Sequence, residues 1–71
     1  MTAARAPRVG DLVQTTDQWT DRYGTRVRGL VRTIGRDYKY RRTVELILAT
    51  PIGDHHRAWF DPNDLELVEA T

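Results

Sequence analysis

An all-β domain of five short strands is the fold class this sequence predicts, and three observations predict it. Apolar residues recur at alternate positions over short runs, as at Val44, Leu46 and Leu48, which is the period of a half-buried strand. The runs are separated by turn-forming punctuation, "TPIGDH" and "DPND" among them. The longest gap, residues 15–25, holds too few apolar residues for a helical stripe, so it is expected to be a long loop between the first two strands.

Each element follows in order. Residues 1–8 are rich in Ala and Arg without periodicity and are expected to be a disordered leader, with the domain running over 9–71. "VGDLVQT" supplies a turn and the first strand. The second strand spans 26–36, with Val27, Gly29, Val31 and Thr33 turned inward and Arg26, Arg28, Arg32 and Arg36 outward. Leu30 and Ile34 break this alternation, which predicts either a bulge at Gly29 or Gly35 or a partly apolar outer face. "RTVELILA", residues 42–49, is the clearest strand in the chain, and "HHRAWF" follows it across a Gly-Asp hairpin. In "DPND" an Asp suits the cap and Pro the first position of a 3₁₀ turn, after which "LELVE" is the last strand.

Composition narrows the function. Seventy-one residues allow one small core and no second domain. There is no cysteine, so neither a disulfide framework nor a thiolate metal site is available, and a reducing, cytoplasmic setting is expected. No run approaches the roughly 20 apolar residues that span a bilayer, and the first residues lack the apolar segment of a signal peptide, so no membrane partner is expected. Serine is absent too, which removes the usual hydroxyl and thiol nucleophiles. Ten of the eleven basic residues are Arg, a coding bias that points to an actinobacterium or one of its bacteriophages.

Five strands arranged as a strand, a long loop, a three-strand meander, a 3₁₀ turn and a closing strand make the chain resemble the SH3-like small β-barrels. "AWFDPNDLELV" resembles the segment around the 3₁₀ turn of such domains, and "VGDLV" with "YGTRVRGLVRTI" resembles the Gly-punctuated opening of bacterial SH3-like and, more weakly, KOW-type modules. The resemblance implies a single five-stranded SH3-like barrel, and its KOW-like part implies binding to RNA or to the transcription and translation machinery. The polyproline pocket of eukaryotic SH3 domains does not carry over: "DLVQTT" lacks its tyrosines, and "RRTVEL" has no Trp.

Charge is the strongest functional signal. The net charge is only +1, yet residues 26–42 hold seven basic side chains against one acidic, whereas residues 43–71 hold one against six. Arg26, Arg28, Arg32, Arg36, Lys39, Arg41 and Arg42 are candidate phosphate contacts, and Tyr38 and Tyr40 candidate stacking platforms, for RNA or DNA. On this reading Arg32→Ala weakens binding and flattens its salt dependence. The competing reading is an ordinary solvated outer face whose arginines pair with Glu45 and the acidic C-terminal segment.

A second function class is a protein-interaction adaptor, a small bacterial or phage-encoded module that docks on a partner or self-associates as a homodimer. Its candidate residues are Trp19, Tyr23, Leu30, Ile34 and Ile47. Trp59 is expected to cover the end of the barrel. His55 and His56 are adjacent on a strand and point to opposite faces, so they cannot readily share an ion; one is expected on the surface and the other near Phe60. No acid, base and nucleophile set stands at a recognisable spacing, so a non-catalytic binding module without cofactor or metal is expected.

Overall fold

The computed structural model describes residues 6–68. Its elements in chain order are β1 (Leu12–Thr15), α1 (Asp17–Tyr23), β2 (Arg28–Arg36), β3 (Arg42–Ile52), β4 (His55–Phe60), a 3₁₀ turn (Pro62–Asp64) and β5 (Leu65–Leu67). The protein is mostly β, and the strands make one antiparallel sheet in the order β4-β3-β2-β1-β5. Residues 1–5 of the expected leader and Glu69 of the expected last strand lie outside the described residues. Of the rest of that leader, Pro7 is buried, and the Arg8 amide donates to Asp11 Oδ2 at 2.8 Å.

One face of the sheet is apolar. Val13, Val27, Val31, Val44, Leu46, Leu48 and Leu65 form the buried cluster, with Trp19, Ile34, Ala58, Phe60 and Leu67 packed against it. Residues of β4 and β5 share this cluster although the two strands lie at opposite edges of the sheet. The sheet therefore coils around its core, but it does not close. β5 has only three residues and spends its ladder on β1, and the gap towards β4 is spanned by side chains, with Trp19 edge-on to Phe60 at 5.5 Å. The closed barrel expected from the sequence is thus replaced by an open sheet.

The loop expected over residues 15–25 contains a helix instead. Thr16 caps it by accepting from the Trp19 amide, Asp17 lies in the first turn, and Gly24 ends it at φ 78°, where the absence of a Cβ removes the steric cost. Trp19 and Tyr23, one turn apart, stack at 4.5 Å. α1 buries no residue completely, which is why it leaves no apolar stripe in the sequence.

The break in β2 is a bulge, at neither Gly29 nor Gly35. Val31 stands opposite Leu46 and Thr33 opposite Glu45, so Arg32 is the extra residue. Beyond it the alternation is reversed: Ile34 turns inward beside Val44, while Leu30 stays outside opposite Ile47.

Thr15, at the end of β1, joins α1 to Val27, the residue that leads into β2. It is completely buried, its Oγ1 accepts from the Val27 amide at 3.0 Å, and it shares a 3.0 Å hydrogen bond with Thr20 Oγ1. Thr15→Val preserves the volume but strands that amide and the Thr20 hydroxyl. It is expected to cost about 1–3 kcal/mol in urea denaturation, and a change below about 0.5 kcal/mol would show that the hydroxyl contributes little.

Candidate nucleic-acid interface

The basic residues of 26–42 fall into three groups. Arg26 is structural: Nη1 donates to the Thr15 carbonyl at 2.7 Å, Nη2 bonds Asp17, and Glu66 lies 3.6 Å away. It ties β1, α1 and β5 together. On the outer face of β2, Arg28 donates to Gln14 Oε1 at 3.0 Å and Arg32 to Glu45 Oε1 at 2.8 Å. Glu45 is only 9% exposed, so truncating Arg32 leaves a largely buried carboxylate without its counter-ion. Arg32→Ala is therefore a test of stability before it is a test of binding.

The third group is the tip of the β2–β3 hairpin. Its last ladder pair sets Arg36 opposite Arg42, two like charges on facing strands with no carboxylate bonded to either among the described residues. The turn between them is built around Asp37. Its Oδ1 accepts from the Lys39 and Arg41 amides at 2.8 and 2.9 Å, and its Oδ2 from Arg41 Nε at 2.9 Å. The Asp37 amide donates to the Arg41 carbonyl, the Tyr40 amide to the Asp37 carbonyl, and Arg36 Nη1 to the Tyr40 carbonyl. An Asx-type turn of this kind gives the loop one shape.

That shape presents aromatics to solvent. Tyr38 and Tyr40 are 84% and 80% exposed, the highest among the large apolar side chains of the described residues. Tyr40 has φ 60°, the sole non-glycine residue in the left-handed region among those described. This backbone costs a residue with a Cβ roughly 1–2 kcal/mol, and the hydrogen bonds that Asp37 and Arg36 make across the turn hold it there. The Lys39 ammonium lies 5.6 Å from the centre of the Tyr38 ring.

The hydrogen bond from the Arg41 amide is the largest effect on the Asp37 carboxyl; desolvation comes next and opposes it, and with the Lys39 amide and the Arg41 side chain added the carboxyl is held below its ordinary value. A lowered folded-state pKa contributes stability that is present above the unfolded value, near 4, and is lost as pH falls through the folded value. The amide resonances of Lys39 and Arg41 are accordingly expected to titrate together, with a midpoint below the ordinary Asp value. Asp37→Ala should abolish that transition and broaden the turn at neutral pH, whereas a midpoint at or above the ordinary carboxylate value would contradict this geometry.

Beside the turn lies a shallow cleft of about 220 Å³ lined by Asp37, Arg41, Arg42, Thr43, Trp59, Phe60 and Asp61. Trp59 is 53% exposed on the outer face, and its ring runs alongside Gly35 and Thr43, so it does not cover the end of the core as expected. Sequence reasoning did not count it among the site residues; its alternation with Ala58 and Phe60, which face inward, was the available signal. Of the residues expected at a protein interface, Leu30 and Ile47 are outside, Ile34 faces the core, Trp19 is half-buried against Phe60, and Tyr23 is exposed beside Trp19. His55 and His56 are both exposed, so neither is a buried cap of the core as expected. Among the described residues, no three His, Cys, Asp or Glu side chains gather as metal ligands, and no helix is long and apolar enough to cross a membrane.

No protein-family model, no curated protein and no solved structure matches this chain.

Proposed function

We propose that this protein is a non-catalytic, SH3-like binding module that holds single-stranded nucleic acid at the tip of the β2–β3 hairpin. One observation carries the reading. A turn fixed by Asp37 displays two tyrosines outward among Arg36, Lys39, Arg41 and Arg42, at the cost of a left-handed Tyr40 and an unbridged Arg36–Arg42 pair. A ligand with negative charge offsets the repulsion between Arg36 and Arg42, and its flat bases can stack on the rings that the left-handed Tyr40 helps to display. Single strands fit better than a duplex because their bases are free to stack. The SH3-like part of the proposal is supported by β1 lying between β2 and β5 and by the 3₁₀ turn that leads into β5.

The test is fluorescence anisotropy with labelled single-stranded RNA, single-stranded DNA and duplex DNA at several salt concentrations. Binding to single strands is expected, with affinity falling steeply as salt rises. Arg42 has no bonded partner among the described residues, so Arg42→Ala should reduce the slope of log K against log salt by about 1 without loss of stability. No binding at low salt would overturn the reading.

A second reading, a protein-docking module, rests on one row of the outer face. Leu12, Leu30 and Ile47 stand side by side across β1, β2 and β3, and all three are exposed. Binding through that row would persist in high salt, and the same titrations therefore separate the two readings.

A further inference from the structure

The two edges of the sheet differ. β5 presents three residues, too few to recruit another strand, whereas β4 presents six, contains neither Pro nor Lys, and pairs regularly with β3 from Arg57 to Phe60. Among the described residues, no hydrogen bond reaches β4 apart from its ladder with β3. An edge of this length, free of Pro and Lys and with Arg57 as its one permanent charge, is a template for another strand that can answer that charge. The residues along it say which strand.

We propose that β4 pairs antiparallel with β4 of a second copy of this chain, about a two-fold axis at Ala58. In that register, Arg57 stands opposite the partner's Trp59 and His55 opposite the partner's Asp61, and each pair occurs twice by symmetry. All four residues lie on the outer face, since they are an even number of positions apart. His56 meets the partner's Phe60 on the inner face. Asp61 lies just past β4, but its backbone is still extended, at φ −70° and ψ 133°, so the line of the strand reaches it. Cation over indole and imidazole against carboxylate are both favourable cross-strand partners. An axis at Arg57 would set two guanidiniums face to face. One at Trp59 would carry the pairing into Pro62, which has no N–H to give and belongs to the 3₁₀ turn. Ala58 is the centre that uses the whole strand and opposes no like charges. The dimer leaves residues 36–42 at the hairpin tip free, although it shares Trp59 and Asp61 with the cleft beside them.

Sedimentation velocity over a wide range of concentration tests this directly. A reversible monomer–dimer equilibrium is expected. His55→Asp sets carboxylates against each other twice and should weaken the dimer by at least about tenfold, and the exchange His55→Asp with Asp61→His should recover part of that loss. Because the chain has no cysteine, the register is tested separately. Residues directly opposite across an antiparallel pair have Cα atoms about 4.5–5.5 Å apart, within disulfide range, so Ala58→Cys should oxidise to a covalent dimer and Arg57→Cys should not. A monomer at every concentration, assemblies that grow beyond two copies, or equal cross-linking at both positions would each overturn the proposal.

Discussion

Replacing Gly29 with valine is expected to leave little folded protein. Gly29 is buried on β2 opposite Leu48, and a Cβ at this position would lie 2.4 Å from the Ile47 carbonyl oxygen and 3.1 Å from its carbon, with Leu46 Cβ at 3.2 Å. The first two are main-chain atoms of β3, so no rotamer change relieves the clash; β2 and β3 have to move apart. Overpacking of a well-filled interior typically costs 1–3 kcal/mol, and a β-branched side chain against backbone lies at or above the top of that range, about 3 kcal/mol or more. For a domain with so small a core this is a large share of its stability. Gly35→Ala is the control, because its Cβ would meet the Trp59 ring at 3.7 Å and Thr43 Oγ1 at 3.9 Å, both ordinary contacts. Urea denaturation followed by circular dichroism measures both. A Gly29→Val midpoint close to that of the unmodified protein would show that the two strands are not held at this separation.

The second large effect concerns binding and should come without loss of stability. Tyr38→Ala combined with Tyr40→Gly removes two rings that are more than three-quarters exposed, so little packing is lost. At position 40, glycine also relieves the left-handed strain. Stacking is worth about 1–3 kcal/mol per base, so the double variant should bind single strands on the order of a hundredfold more weakly while melting no lower than the unmodified protein. Unchanged affinity would remove the tyrosines from the interface. A large fall in melting temperature would mean that the rings serve the fold.

What could be read from the sequence follows from where each piece of information is stored. β4 and the 3₁₀ turn were legible because their boundaries are chemical: Gly53 with φ 60° at the hairpin, and an Asp cap followed by Pro at the last turn. α1 was missed although Thr16, Asp17 and Gly24 are written in the letters. Seven residues with no fully buried member carry no periodic stripe, so capping was the sole signal. The irregularity of β2 was visible at Leu30 and Ile34, but its position at Arg32 was not, because it depends on the register with β3. Gly29 drew attention as a possible bulge, whereas the reason for it is the nearby backbone of Ile47, which no local pattern encodes.

The site divides in the same way. The cluster of cations was plain, but which of them are already engaged was not. Arg26 meets Asp17 nine residues before it, once α1 has folded beside the start of β2, and Arg32 meets Glu45 thirteen residues after it, once β2 and β3 are in register. The hairpin tip remains because its one carboxylate, Asp37, is occupied in shaping the turn.

The most direct test of the hairpin-tip assignment is to follow amide shifts of the ¹⁵N-labelled protein as a short single-stranded oligonucleotide is added at low salt. The largest changes are expected at residues 36–42, with smaller ones at Trp59 and little on β1 or β5. Changes centred on Leu12, Leu30 and Ile47, or none that exceed the background, would contradict it.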